Sequence, residues 1–286
     1  MNRSCFHLAS IVLAMSFPAF SDETSCIPGP RPELIRLRHI ESKGLGYNKG
    51  YSSLDAFLTY PKWSGDFLPF VDLRGHVFND GKTAANAGWG FRYLSEPKKR
   101  VFGLNFYYDY RDASKKSYRQ VSAGLEALGI TWDFRMNGYL PVGGKRSVPF
   151  DFDFELFPDD SFSLTAKKQS TLAGADAEVG YHYSKMSFGE IYSAAAVYFY
   201  SPSHFGDNTF GGRLRTTATF YTYLTLEALV SYDHVFKWIG QGALSLNIPL
   251  GKRVTNCNRP SSLKDRLYQT VDFNEIIVVR RYRNEL

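Results

Sequence analysis

Apolar and polar residues alternate along most of the chain between residues 50 and 250. In Val101–Tyr110, for example, Phe102 and Leu104 share one face, whereas Gly103 and Asn105 share the other. Successive side chains of a β-strand point to opposite faces of the sheet, so this period of two predicts a strand. The same alternation is clear in four further segments: Tyr118–Leu128, Ile130–Leu140, Ala173–Tyr183 and Leu224–Asp233.

Six more segments have the length and residue types of strands, although the facing of the last three is less regular. They are Ser52–Tyr60, Leu68–Asn79, Ala84–Leu94, Glu190–Tyr200, Phe210–Phe220 and Ile239–Leu250. Bacterial single-chain membrane barrels have even strand numbers, so these eleven segments predict a barrel of twelve. The twelfth strand has two candidates: Phe150–Leu156, in which Phe and acidic residues alternate, or a segment before Ser52.

The length of the segments and their connections favour an all-β, antiparallel transmembrane barrel. Strands of about ten residues span a bilayer when tilted, with short turns at one end and longer loops at the other. Leu128-Gly129-Ile130 is tight, whereas Gly143–Ser170 is long and polar. The chain also has 23 Phe, 19 Tyr and 4 Trp, many near predicted strand ends, as in an aromatic girdle. A soluble β-sandwich alternates too, and β-propensity alone enriches aromatic residues in strands.

The first 21 residues have the features of a secretory signal peptide. Arg3 supplies a positive charge, Leu8–Phe17 is mostly apolar, and Ala19-Phe20-Ser21 is a small-x-small cleavage site. We therefore expect export, with residues 22–49 forming a periplasmic N-terminal segment and residues 50–250 forming the barrel. No other stretch reaches about 18 apolar residues, so no spanning helix is expected. Such an exported chain is either soluble or a barrel, and the alternation favours the outer membrane.

Two cysteines, Cys26 and Cys257, follow the predicted signal peptide and flank the strand region. Export makes a disulfide between them permissible, because disulfides persist in oxidising compartments. Such a bond would join the two ends of the strand region. Two unpaired thiols are the equal alternative.

The order of several motifs resembles that of a known family. The motifs are Asn86–Tyr93 (NAGWGFRY), Phe102–Asp109 (FGLNFYYD), Ser122–Glu126 (SAGLE) and Met136–Pro141 (MNGYLP), with Arg266–Gln269 and Asn274–Val279 near the C-terminus. Over roughly residues 50–282 this set is similar to the β-domain of the inverse autotransporters, the intimin and invasin family. The resemblance implies a twelve-stranded outer-membrane barrel whose two terminal strand ends face the periplasm. It further implies a linker that returns through the lumen and carries a C-terminal passenger, usually an adhesin. Outer-membrane lipid and the barrel assembly machinery are the partners that such a fold implies.

The sequence departs from that family pattern after the last predicted strand. Residues 251–286 follow Leu250, and an apolar band of about 25 Å is spanned by about eight extended residues. This C-terminal tail is thus predicted to be long enough to thread or plug the lumen and too short to form a folded passenger. We expect either a barrel with a plug-like tail or a truncated member of the family.

No pattern of catalytic, cofactor-binding or metal-binding residues stands out, so we expect a non-enzymatic protein with no cofactor. The six histidines lack metal-ligand spacing, and neither a Gly-x-Ser-x-Gly turn nor a phosphate loop is present. A Ser231–His234 pair is the weak alternative for hydrolytic chemistry. The formal net charge of +6 is spread along the chain, so nucleic-acid binding is not expected.

The polar faces of the predicted strands carry charges of both signs, which we expect to line the lumen. They are Asp72, Arg74, Arg92, Asp109, Glu126, Asp133, Arg135, Asp176, Glu178, Arg213, Arg215 and Glu227. These residues either line a polar pathway or hold the tail, or they form cross-strand pairs that only stabilise the wall. Accordingly, the main hypothesis is a translocator-like or surface-exposed barrel without a folded passenger. The alternative is a small porin-like channel for ions or small solutes. The sequence pattern does not identify a host or surface ligand.

Overall fold

A computed structural model describes the chain over the residues that form and fill a closed antiparallel β-barrel. The described residues are 33–59, 66–113, 116–142, 148–156, 162–183, 189–202, 207–221, 223–250 and 263–285. The predicted signal peptide, Cys26 and Cys257 lie outside these ranges. In the described ranges, no helix is both long and apolar enough to cross a membrane.

Fourteen strands are present in the described residues. They are β1 (Glu33–Glu41), β2 (Tyr51–Thr59), β3 (Phe67–Phe78), β4 (Thr83–Ser95), β5 (Arg100–Asp112), β6 (Ser117–Leu128), β7 (Trp132–Val142), β8 (Val148–Leu156), β9 (Phe162–His182), β10 (Gly189–Pro202), β11 (Thr209–Phe220), β12 (Leu224–Asp233), β13 (Ile239–Leu250) and β14 (Val279–Glu285). Twelve of them, β1 to β7 and β9 to β13, pair around the barrel. The predicted fold class is confirmed.

Closure of the barrel identifies the twelfth strand. Strand β1 pairs with β2 on one side and with β13 on the other, so that Glu33 lies opposite both Leu58 and Leu250. Of the two candidates, the segment before Ser52 is therefore the correct one. The predicted boundary at residue 50 is wrong for this reason: part of the expected periplasmic segment 22–49 is a barrel strand.

The other candidate, Phe150–Leu156, lies in β8, which pairs only with the first part of β9. Strand β9 is 21 residues long, and only its second part joins the barrel wall, between β7 and β10. The predicted long loop Gly143–Ser170 thus contains most of a β-hairpin that extends beyond the wall. Because residues 150–156 alternate as the barrel strands do, alternation alone did not separate this hairpin from the barrel.

The predicted facing of the five clear segments is confirmed. Outward residues are mostly apolar, and the exposed fractions of Leu125 and Met136 are 57% and 60%. Inward residues are mostly polar or small, and burial alternates strictly along β5 and β6. An apolar outer surface with a polar interior is the arrangement of a barrel whose outside meets lipid.

The two ends of the barrel differ. At the near end, where Glu33 and Leu250 lie, short turns join β4 to β5 and β6 to β7. At the far end lie the β1–β2 loop 42–50 and the β8–β9 hairpin. The family resemblance implies that the near end faces the periplasm, because both terminal strands of the barrel have their ends there.

The C-terminal tail runs through the lumen from the near end to the far end. A 3-10 helix (Leu263–Tyr268) packs Leu263 and Leu267 against inward side chains of the near end, including Leu94 and Leu128. An extended segment, residues 269–278, follows, and β14 then pairs with Thr165–Thr171 of β9 beyond the wall. The prediction that the tail lies in or near the lumen is confirmed.

Candidate functional site

The filled lumen is the candidate site, and near its entrance Arg92 binds the tail backbone. The Arg92 side chain is fully buried and donates hydrogen bonds to the carbonyls of Leu267 and Gln269. Its other partner is Glu126 of the neighbouring wall, at 2.8 and 3.0 Å. Strands β4 and β6 place both charges inward at the same depth, so the arginine is neutralised by the wall while its remaining donors hold the tail.

Glu275 forms the main charged contact of the tail in the middle of the lumen. This buried carboxylate accepts hydrogen bonds from Arg38, from Arg74 at 3.0 Å and from the Tyr51 hydroxyl at 2.5 Å. Arg74 also donates to Asp72 at 2.6 Å and to the Val271 carbonyl at 2.6 Å. A tail anion is therefore seated between two arginines from β1 and β3.

Asp272 forms a second charged contact on the opposite side of the tail. Its carboxylate lies 3.3 Å from Arg215 and 3.5 Å from Arg135, two buried or half-buried cations of β11 and β7. The same two arginines reach Glu178, at 2.6 and 3.5 Å. The cations are thus shared between the wall and the tail.

A third ion pair has the reverse polarity, with the cation on the tail. Arg266 of the 3-10 helix pairs with the buried Asp133, which also accepts from Arg135 at 3.0 Å and contacts His182 at 2.8 Å. Tail and wall therefore carry complementary charges at three depths. Buried charges are tolerated only when they are paired and hydrogen-bonded, so this match favours one seated position of the tail.

Uncharged side chains also hold the tail against the lumen wall. The Phe273 ring stacks on Tyr107 with centroids 4.1 Å apart, and the Arg74 guanidinium lies 4.7 Å from the same Phe273 ring. The Asn274 amide groups donate to the hydroxyls of Tyr139 and Tyr200, at 2.8 and 3.0 Å. Polar tail groups therefore find partners around the lumen.

Substituting the inward Gly88 tests whether this aromatic stack seats the tail. A β-carbon at Gly88 would lie 2.2 Å from the Tyr107 ring, so Gly88→Ala is expected to push the ring toward Phe273. Overpacking of this kind costs about 1–3 kcal/mol, and we expect faster proteolysis of the tail in micelles. Gly75→Ala is the control, because no atom lies within 4 Å of its β-carbon position. Equal proteolysis of both variants would contradict the role of the stack.

The structure places all twelve of the predicted lumen-lining residues on the inner face. Nine are buried, and Arg213, Arg215 and Glu227 are half-buried. Some contact the tail, whereas others pair only within the wall: Asp109 accepts from Asn86, Gln120 and Ser122, and Asp176 accepts from Asn137 and Tyr139. Whether any of the twelve forms a transport pathway stays a prediction.

Several residues of the site were not identified from the sequence. Arg36 and Arg38 alternate with Ile35 and Leu37, and this signal in β1 would have revealed both arginines. Other residues had no local signal, because their partners are distant in sequence. They are Tyr51, Asp55, Arg111, Arg266, Asp272 and Glu275.

The tail does not fill the lumen completely. A cavity of about 100 Å³ remains beside Asp272–Glu275, lined on its other side by β11, β12 and β13. Polar groups face it, including Arg213, Glu227 and Gln241. A cavity needs about 10–15 Å³ to hold one water, so this volume is large enough for several molecules.

The described residues contain no group of three or more His, Cys, Asp or Glu side chains placed to hold a metal ion. No hydrogen bond joins Ser231 to His234 in this part of the chain.

Comparison with known families matches part of the barrel, a little less than half of the chain. Residues 42–174 match the family described as the inverse autotransporter β-domain. The resemblance inferred from the sequence motifs is therefore confirmed, and the chain is an outer-membrane β-barrel. No curated protein matches the sequence.

Solved structures support the fold. A structure described as "Unveiling the Mechanism Behind the in-meso Crystallization of Membrane Proteins" has a TM-score of 0.63 at 15% identity, covering 87% of this chain and 100% of its own. The COG4313 outer membrane channel from Pseudomonas putida F1 has a TM-score of 0.47 at 10% identity, covering 79% and 97%. The translocator domain of autotransporter NalP from Neisseria meningitidis has a TM-score of 0.32 at 9% identity, covering 77% and 87%. The first likeness shows the fold alone, and the other two are too weak to carry an argument.

Proposed function

We propose that this outer-membrane barrel, an inverse autotransporter β-domain over residues 42–174, is a non-enzymatic, translocator-like protein whose lumen is occupied by its own C-terminal tail. In this proposal the barrel holds an extended segment from the near end to the far end and presents β14 beyond the wall. In this orientation the far-end strands are exposed at the cell surface.

The charge match between tail and wall carries the proposal. Asp272 and Glu275 of the tail meet arginines of β1, β3, β7 and β11, and Arg266 of the tail meets Asp133 of β7. A segment without matching charges would leave the charges of the wall unpaired, at a cost of about 3–5 kcal/mol for each broken pair. The pairing thus supports a lumen built around an extended chain.

A small porin-like channel is the alternative, and the cavity beside Asp272 is the observation that favours it. Arg213, Arg215 and Glu227 line this cavity. An aqueous path along β11 to β13 would admit ions while the tail stays seated. The two functions differ in whether conductance depends on the tail.

Planar-bilayer recordings on the full chain and on a chain ending at Leu250 separate these functions. We expect the full chain to be nearly closed and the shortened chain to conduct stably, because about twelve strands enclose a lumen wide enough for water and ions once it is emptied. Equal conductance of the two chains would support the porin-like alternative and contradict the plug. Retention of a heat-modifiable shift on gels shows that the shortened barrel is folded.

Export and membrane partners belong to the same proposal. Residues 1–21 act as the signal peptide, the barrel assembly machinery inserts the strands, and outer-membrane lipid surrounds the apolar belt. Contact with lipid is supported by the outward side chains of Trp89, Leu125 and Met136, which are all more than half exposed. N-terminal sequencing of the protein recovered from outer membranes tests the cleavage, and a first residue other than Asp22 would contradict the predicted site.

A further inference from the structure

The far end of the barrel contains a vestibule of about 550 Å³ around the point where the tail leaves the lumen. We define this far-end vestibule by the β1–β2 loop, the β3–β4 turn, the end of β5, the β12–β13 turn and the start of β14. Its volume lies within the range of about 300–1,000 Å³ that is usual for small-molecule sites. The size therefore admits a ligand as large as a substituted sugar.

The charge of the vestibule is strongly one-sided. Six cationic side chains line it with a single carboxylate, that of Asp80; the cations are Lys43, Lys49, Lys82, Arg111, Arg280 and Arg281. Asp80 is engaged by Lys82, and Arg280 lies 3.9 Å from Asp207 outside the lining. Like charges gathered around one concave space repel one another, so an anion bound there would stabilise them.

Arg111 gives the vestibule a buried cationic floor. Its side chain is 5% exposed and donates only to backbone carbonyls, those of Ile277 at 2.5 Å and Gly46 at 3.0 Å. Its Nε–H has no partner, and no carboxylate of the described residues forms an ion pair with it. A buried guanidinium without a counter-charge is costly, and here its positive charge faces the vestibule.

We propose that the far-end vestibule binds a sugar-sized ligand that carries more than one phosphate. A phosphate monoester has a charge of about −1.5 to −2, so two of them offset most of the positive charge of the lining. Arginine and lysine are the side chains that recognise phosphate best. The opposite wall, with Val235, Phe236 and Ile239, provides an apolar surface for the sugar ring.

Titration calorimetry on the full chain in micelles of a neutral detergent tests this proposal. Glucose 1,6-bisphosphate is the probe and glucose is the uncharged comparison. We expect the bisphosphate to bind and glucose not to bind. Lys43→Gln/Lys49→Gln is expected to weaken binding at least about tenfold, because each exposed lysine supplies a charge-assisted hydrogen bond. Arg281→Gln, also exposed, is a second variant with the same expected direction.

Lys98→Gln/Lys99→Gln is the matched control, since it removes two exposed lysines from the near-end turn. Binding that is no stronger than that of glucose would overturn the proposal, as would equal weakening by the two double variants. Heat-modifiable migration confirms that each variant is folded. A competition arm uses bilayers with lipid A or with phosphatidylethanolamine alone. If lipid A displaces glucose 1,6-bisphosphate, the natural ligand of the vestibule is a phosphorylated lipid headgroup. If it does not, the natural ligand is a free phosphorylated sugar.

Discussion

Replacing Glu275 with leucine is expected to release the tail from the lumen. Glu275 is the shared acceptor of Arg38, Arg74 and Tyr51, and its loss leaves two largely buried arginines short of a counter-charge. Breaking a buried ion pair costs about 3–5 kcal/mol, and we expect a value near 3 because Asp55 and Asp72 still face these arginines. The expected results are rapid proteolysis of the tail and a conducting barrel.

The matched control is Lys264→Leu, which makes the same kind of change at an exposed position of the tail. Glu275→Gln should have a smaller effect than leucine, because an amide oxygen still accepts from Tyr51. Protease protection of the tail and bilayer conductance are measured for all three variants. If Glu275→Leu kept the tail as protected as Lys264→Leu does, the charged contact would not be what seats the tail.

Replacing Arg135 with methionine is expected to destabilise the barrel more when the tail is present than when it is absent. Arg135 is buried and contacts Asp133, Glu178 and Asp272, and it also donates to the Tyr192 hydroxyl at 2.6 Å. In the full chain Arg135 is only 2% exposed, so the loss of this cation should cost about 3–5 kcal/mol. In a chain ending at Leu250, Asp272 is gone and water can solvate the remaining carboxylates, which makes the cost smaller.

Urea unfolding in micelles, performed on both chains with and without the substitution, measures this difference. Arg119→Met is the control, since Arg119 is an exposed, outward-facing residue of β6. We expect the control to change the free energy of unfolding little in either chain. An equal loss for Arg135→Met in both chains would mean that Arg135 supports only the wall and does not depend on the tail.

The facing of the wall residues was determined by the sequence itself. In β5, Phe102 and Asn105 fall on opposite faces for any pairing partner, because the two-residue period is a local property of an extended chain. The inward placement of Asp109, Glu126 and Arg135 followed in the same way. The ordered motifs in residues 86–141 then indicated the family before any contact was known.

The identity of the twelfth strand was decided only by the tertiary structure. Both β1 and β8 alternate, so the local pattern is satisfied by either. Closure selects β1, because it alone pairs with β2 and β13 at once. Strand β8 meets only the extension of β9. Pairing between distant strands depends on register around the whole barrel, which no short segment contains.

The candidate site, too, was predicted from the sequence only in part. The sequence determined that charges line the inner face and that the tail is long enough to reach through it. It did not determine that Asp272 and Glu275 meet Arg215 and Arg74, because these partners are brought together only when the tail is inside the closed wall. Local alternation fixes the direction of each side chain, whereas ion pairing depends on positions that chain closure sets.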